Sequence, residues 1–196
     1  MMRLRVNSTD ILIEECSGVY PVAEDSILLM NSIANLDFEG KRVLDMGTGT
    51  GVIAIYCAKR KARVVASDIC QKALECARRN AALNGVRIEF VESNLFSNIK
   101  GCFDIIIFNP PYLPFDGVHD ESDHLVIGGY SGGELIVEFL RDAKSHLSPN
   151  AVIYIVLSSL GSNRVLGAMK KYYRFSLVLK QRFFFEKIET YKLTRA

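Results

Sequence analysis

One segment constrains this chain more than any other. Phe103-Asp104-Ile105-Ile106-Ile107-Phe108 is halted at once by Asn109-Pro110-Pro111-Tyr112. A short run of Ile and Phe bounded by turn residues predicts a strand buried on both faces, as in a parallel sheet. Proline cannot extend such a strand, because it lacks an N–H and its φ is fixed. The residue before it is driven into extended backbone, so Asn109 is expected at the strand's mouth. Open α/β sheets bind their ligands beyond the carboxyl ends of the strands. Two prolines also limit the freedom that neighbouring side chains must lose to form a fixed rim. An amide and a ring on that rim suit a planar group bearing NH2.

The other segments place this strand in a repeating pattern. Arg42 to Met46 predicts a strand, followed by a glycine-rich turn and a helix over Val52 to Lys61. Ala62 to Ser67 predicts a second strand, closed by Asp68 and followed by a helix over Gln71 to Leu83 that Asn84-Gly85 ends. Val86 to Glu92 is the third expected strand and Ala151 to Leu157 the fifth, with a helix from Glu134 to Leu147 before it. A last helix over Ser162 to Tyr172 precedes two strands, Phe175 to Lys180 and Arg182 to Leu193, expected to form a hairpin. Near the start, apolar spacing at Ile27, Leu28, Met30 and Ile33 predicts a helix with Glu24 and Asp25 in its first turn. Residues 1–18 are expected to end in a turn at Ser17-Gly18. Strands alternating with helices imply a doubly wound parallel sheet. No repeat or linker divides the 196 residues, so a single domain is expected, with residues 1–40 forming a segment and helix that cover the cofactor site.

Composition narrows the function. The net charge is +2, which gives no global field for nucleic acid. Basic residues do gather at the end (Lys170, Lys171, Arg174, Lys180, Arg182, Lys187, Lys192, Arg195), where lysines on edge strands block edge-to-edge pairing. The five cysteines include no CxxC pair, and they read as reduced thiols of a cytoplasmic protein. No apolar run approaches the roughly 18 residues of a membrane span, and no signal-peptide core opens the chain. The stretch Leu113 to Gly133 carries His119, His124 and three aspartates in no recognised metal spacing. A substrate-facing lid is expected there and no metal.

The glycine turn, Gly47-Thr48-Gly49-Thr50-Gly51, is GxGxG, and Val52 stands where a dinucleotide fingerprint needs glycine. Asp45, just before it, would repel a pyrophosphate and attract an amino group or a positive charge. That favours S-adenosylmethionine over NAD. Asp68 falls about 20 residues further on, where such folds place the acid for ribose hydroxyls. Asn94 follows the third strand, positioned for an adenine amino group.

In their order and spacing these motifs resemble the class I S-adenosylmethionine-dependent methyltransferases, which implies a seven-stranded sheet with one antiparallel strand from the last hairpin. Asn109-Pro110-Pro111-Tyr112 is shared by enzymes that methylate adenine N6, cytosine N4 and glutamine N5. Val19 to Ser26, with Gly128, Gly129, Gly132 and Glu134, looks like the HemK-related protein-(glutamine-N5) methyltransferases in their short archaeal and eukaryotic form. Bacterial members carry a helical substrate domain ahead of the catalytic one, which the roughly forty residues before the glycine loop do not accommodate. The resemblance implies that Tyr20, Ser26, Asp45, Gly47, Thr48, Gly49, Gly51, Asp68, Ile69, Asn94, Leu95 and Asn109 hold the cofactor. Asn109, Pro110, Pro111 and Tyr112 would hold the substrate, with Asn109, Pro110 and Tyr112 catalytic. Ser26 replaces the family's more frequent threonine, and Asn94 its aspartate. The implied substrate is the glutamine of a Gly-Gly-Gln motif in a peptide-chain release factor, and a small zinc-binding activator protein is an implied partner. Adenine in RNA or DNA is the alternative substrate, and a cofactor-binding subunit without turnover the alternative role.

Overall fold

The computed structural model describes residues 1–111, 133–159, 163–183 and 186–196. Tyr112, residues 113–132 of the expected lid, Ser162 and residues 184–185 lie outside the described residues. The chain opens with a hairpin, β1 (Met2–Val6) and β2 (Thr9–Ile13). Asn7 and Ser8 both take positive φ, 46° and 67°, the backbone of a two-residue hairpin turn. The sequence reading missed this hairpin, because its turn has no glycine and its strands are short and half polar.

Then follow α1 (Glu24–Ser32), β3 (Arg42–Met46), α2 (Val52–Lys59), β4 (Arg63–Asp68), α3 (Gln71–Leu83), β5 (Glu89–Glu92) and β6 (Phe103–Phe108). The second half comprises α4 (Glu134–Asp142), β7 (Leu147–Ser158), α5 (Asn163–Tyr172), β8 (Tyr173–Arg182) and β9 (Lys187–Arg195). Seven strands form one sheet in the order β5-β4-β3-β6-β7-β9-β8. β5, β4, β3, β6 and β7 run parallel, and β9 lies antiparallel between β7 and β8. This is the Rossmann-like methyltransferase sheet expected from the sequence, with its one reversed strand.

The side chains of β6 alternate between two cores, which is why an unbroken apolar run was needed there. Ile105 and Ile107 pack with α1, α2 and β2, while Ile106 and Phe108 pack with α4 and α5. Asp104, the one polar residue of the run, accepts the Arg42 N–H at 2.9 Å. The helix expected to reach Leu147 ends at Asp142 and tightens into a 3₁₀ turn over Ala143–His146. β7 starts earlier than expected and includes Pro149. The pairing with β6 jumps from Phe103↔Leu147 to Ile105↔Val152, so the proline sits in a bulge and interrupts no ladder bond.

Asn80 of α3 and Asn84, just past its end, clamp the N-terminal hairpin. Asn84 bonds the N–H and C=O of Leu12 at 3.0 and 2.7 Å, and Asn80 bonds those of Glu14 at 2.8 and 3.0 Å. Beyond β2, Cys16 forms a disulfide with Cys76 of α3. This corrects the reading of all five cysteines as reduced thiols. The partners are 60 residues apart, and only the packing of the hairpin on α3 brings them together. The segment that follows, Val19 to Ser26, brings Val19, Tyr20, Pro21, Asp25 and Ser26 to the loops that leave β3 and β4.

Candidate active site

Strand order reverses between β3 and β6, and at such a switch point the loops diverge and leave a crevice. A cavity of about 440 Å³ opens there, within the range of small-molecule sites. Its wall includes Tyr20, Ser26, Gly47, Thr48, Gly49, Asp68, Ile69, Asn94, Leu95, Asn109, Pro110 and Pro111. These are the described residues expected from sequence, less two.

The two are Asp45 and Gly51, which support the loop from beneath. Asp45 is buried, and its Oδ2 accepts the Thr48 hydroxyl at 2.6 Å and the Ala54 N–H at 3.1 Å. It joins the turn to the first turn of α2. Burial pushes its carboxyl up to about 7, against the pull of those two donors. Gly51 has φ 83°, and a Cβ there would come within 2.9 Å of the Ala77 Cβ on α3. Its lack of a side chain serves helix packing. Gly47 and Gly49, also at positive φ, turn their backbone to the cavity.

Asp68 ties the two loops together. Its Oδ2 accepts the Gly49 N–H and its Oδ1 the Cys70 N–H, both at 3.0 Å. Burial raises its carboxyl above the ordinary value, offset by backbone N–H groups including these two. A carboxylate has about four lone-pair sites, so capacity remains for a ligand. At the next strand end, Ser93 N–H bonds the Asp68 carbonyl at 2.9 Å and its hydroxyl bonds the Leu95 carbonyl at 2.7 Å. Leu95 is thereby held at φ 45°, a conformation leucine rarely adopts, with its side chain against the cavity.

The N-terminal segment crosses the opening. Asp25, almost fully buried, accepts the Tyr20 hydroxyl at 3.0 Å and the Ser26 N–H and hydroxyl at 2.6 and 3.2 Å. Asp25 lines the cavity and was missed from sequence, although it adjoins Ser26 in the same motif.

Opposite stands Asn109. Phe108 beneath it packs on Phe139 of α4 at 4.5 Å, and Phe139 on Phe96 at 5.4 Å, so the strand end rests on a row of rings. The Oδ1 of Asn109 is buried and has no hydrogen-bond partner among the described residues. Buried polar atoms are nearly always bonded, so this oxygen on the cavity wall keeps an unused capacity to accept. Glu186, just ahead of β9, also lines the cavity. No sequence signal marked it, because it reaches the site only through the sheet pairing. Every charged side chain on the described wall is acidic: Asp25, Asp68 and Glu186.

The chain's similarities fit this geometry. The methyltransferase small domain family matches residues 18–185. A putative protein N5-glutamine methyltransferase of Methanocaldococcus jannaschii is 41% identical over 157 residues, which are 78% of this chain and 79% of that one. A release factor glutamine methyltransferase of Lactococcus lactis is 33% identical over 69% of this chain and 54% of its own length. Among solved structures, the E. cuniculi Mtq2–Trm112 complex, described as responsible for methylation of the termination factor eRF1, superposes with a TM-score of 0.72. It is 27% identical and covers 91% of this chain and 99% of that one. With its crevice, glycine turn and Asn-Pro-Pro rim at the strand ends of a methyltransferase sheet, the chain belongs to the small-domain methyltransferases, enzymes whose methyl donor is S-adenosylmethionine.

Proposed function

We propose that this protein methylates the side-chain N5 of a glutamine, the one in the Gly-Gly-Gln motif of a peptide-chain release factor. The unpartnered Asn109 Oδ1 on the cavity wall carries this reading, and the names of the relatives support it. All 196 residues serve as one catalytic domain, working in the cytoplasm. Among the described residues no helix is long and apolar enough to cross a membrane. A small partner, as Trm112 is for Mtq2, fits the same reading, and we take it to be zinc-binding.

The wall suits the cofactor. Gly47, Gly49, Thr48 and Ser26 would hold its amino-acid end, Tyr20 would cover it, Asp68 would take ribose hydroxyls, and Ile69, Asn94 and Leu95 would enclose the adenine. The acidic lining favours a sulfonium cation. When bound, S-adenosylmethionine supplies an electrophilic methyl on a positively charged sulfur, which departs with the bonding electrons.

The protein's own task is to make an amide nitrogen nucleophilic, although its lone pair is delocalised into the carbonyl. Asn109 Oδ1 accepts one N–H of the substrate amide and the Pro110 carbonyl accepts the other, while Tyr112 would stack on the planar group. The nitrogen lone pair is then turned toward the methyl. Positive charge grows on nitrogen as the C–N bond forms, so both acceptors bind the transition state more tightly than the substrate. The alkylated nitrogen is acidic and releases its proton without a strong base.

Mass spectrometry of a release factor incubated with the enzyme and S-adenosylmethionine tests the proposal. One added methyl on the Gly-Gly-Gln glutamine is the expected result. Methyl transfer to adenine in bulk RNA or DNA, with none to the release factor, would overturn it in favour of the alternative that shares the Asn-Pro-Pro-Tyr motif. No transfer to either would favour a cofactor-binding subunit.

A further inference from the structure

We propose that Glu186 is a specificity-determining residue that selects a polypeptide over a phosphate-bearing substrate at this site; this rests on the glutamine reading above. Glu186 is half-buried on the wall that also carries Asn109, Pro110 and Pro111. Its carboxylate is aimed. Oε2 accepts the Ser158 hydroxyl at 2.7 Å, at the last residue of β7. Phe108 pairs with Ile155, so β7 runs three residues past the end of β6, alongside the Asn109-Pro110-Pro111 segment.

The base of the hairpin is fixed to the same strand end. The Ser159 N–H bonds the Lys187 carbonyl at 2.8 Å, the Lys187 N–H bonds the Ser159 hydroxyl at 2.9 Å, and Ile188 pairs with Ser158. Glu186 is thus a built part of the substrate end, contributed by an element remote in sequence from every motif. A carboxylate there accepts main-chain N–H groups flanking a target side chain, in charge-assisted hydrogen bonds. It also repels phosphates that a nucleic-acid chain would bring to the same mouth, with Asp25 and Asp68 adding the same sign and no Lys, Arg or His on the described wall to offset them.

The bond to Ser158 also closes the hairpin, and Glu186→Gln separates the two roles. An amide oxygen still accepts the Ser158 hydroxyl, so the fold stays intact while the charge is lost. The quantity to measure is a ratio of dissociation constants, that for a ten-nucleotide adenine-containing RNA over that for a ten-residue peptide containing Gly-Gly-Gln. Both are read by calorimetry on the full chain saturated with S-adenosylhomocysteine. E186Q should lower this ratio about 10-fold, and Glu186→Lys should lower it further, with affinity for S-adenosylhomocysteine within twofold of the parent. A ratio unchanged within twofold in E186Q would overturn the proposal. So would a parallel loss of S-adenosylhomocysteine affinity, which would make Glu186 a cofactor residue. Because the ratio comes from binding, it is independent of turnover: a parent enzyme that leaves the glutamine unmethylated defeats the glutamine reading, while the ratio still judges Glu186.

Discussion

The two ends of the cavity are built on opposite plans. At the glycine-turn end the polar groups are engaged within the protein: Asp45 holds Thr48 and Ala54, Asp68 holds Gly49 and Cys70, and Asp25 holds Tyr20 and Ser26. At the other end Asn109 Oδ1 is buried without a described partner, and Glu186 is steadied by Ser158. The first end is a scaffold whose shape precedes its ligand. On the function proposed above, the second keeps an unused acceptor for a substrate that arrives and leaves, so the desolvation of its amide oxygen would be offset when an N–H fills the site. A methyltransferase of this kind needs both, because a cofactor must be placed accurately while an incoming amide must be activated.

The sharpest way to break this contrast is Asn109→Ala. It should lower the rate of methyl transfer by about 10²–10³, with affinity for S-adenosylmethionine within twofold of the parent, as measured by single-turnover kinetics and calorimetry. Equal losses at both ends would mean that Asn109 belongs to the scaffold.

Cys16→Ser probes the scaffold from the other side. Removing the tie to Cys76 should cost about 2–4 kcal/mol in denaturant unfolding. It should weaken cofactor binding by freeing the segment that carries Tyr20 and Ser26, and leave the rate at saturating cofactor near that of the parent. A parent chain equally stable with and without reductant would remove the disulfide from this account.

Asp45→Asn is the mildest test. Burial raises the Asp45 carboxyl to about 7 in the fold, so the folded chain binds this proton more tightly than the unfolded chain does. The stability this group contributes is complete below about pH 4, declines as pH rises, and is gone above about pH 7. The substituted amide keeps an oxygen for Thr48 and Ala54 without the charge. The variant should therefore lose the decline between pH 4 and 7 and be more stable than the parent at pH 8, read from thermal melts across pH. A parent whose stability rises through that range would show that Asp45 stays ionised.

Much of this protein is legible without coordinates. The helix over Gln71–Leu83 and the strand over Phe103–Phe108 match their sequence-based bounds, and the strand mouth carries Asn109 as expected. Each of those inferences needs only the local chain. Apolar spacing records which faces are buried, glycine records a backbone that turns with positive φ, and proline records where a ladder stops.

What the local chain does not record is which remote residues meet and which way a side chain turns. Asp45 occupies the expected strand end, yet its carboxylate goes beneath the turn, because a buried helix N-terminus offers it an N–H and Thr48 a hydroxyl. Gly51 answers to its neighbour Ala77. The hairpin at the N-terminus, the Cys16–Cys76 bond and the arrival of Glu186 on the wall that holds Pro111 all depend on how separate elements pack and pair. Sequence by itself determined the strands, their turns and the residue types at each strand end, since those follow from short-range sterics and burial. Tertiary structure alone decided which of those residues face a ligand and which hold the frame, since that depends on partners supplied from distant parts of the chain.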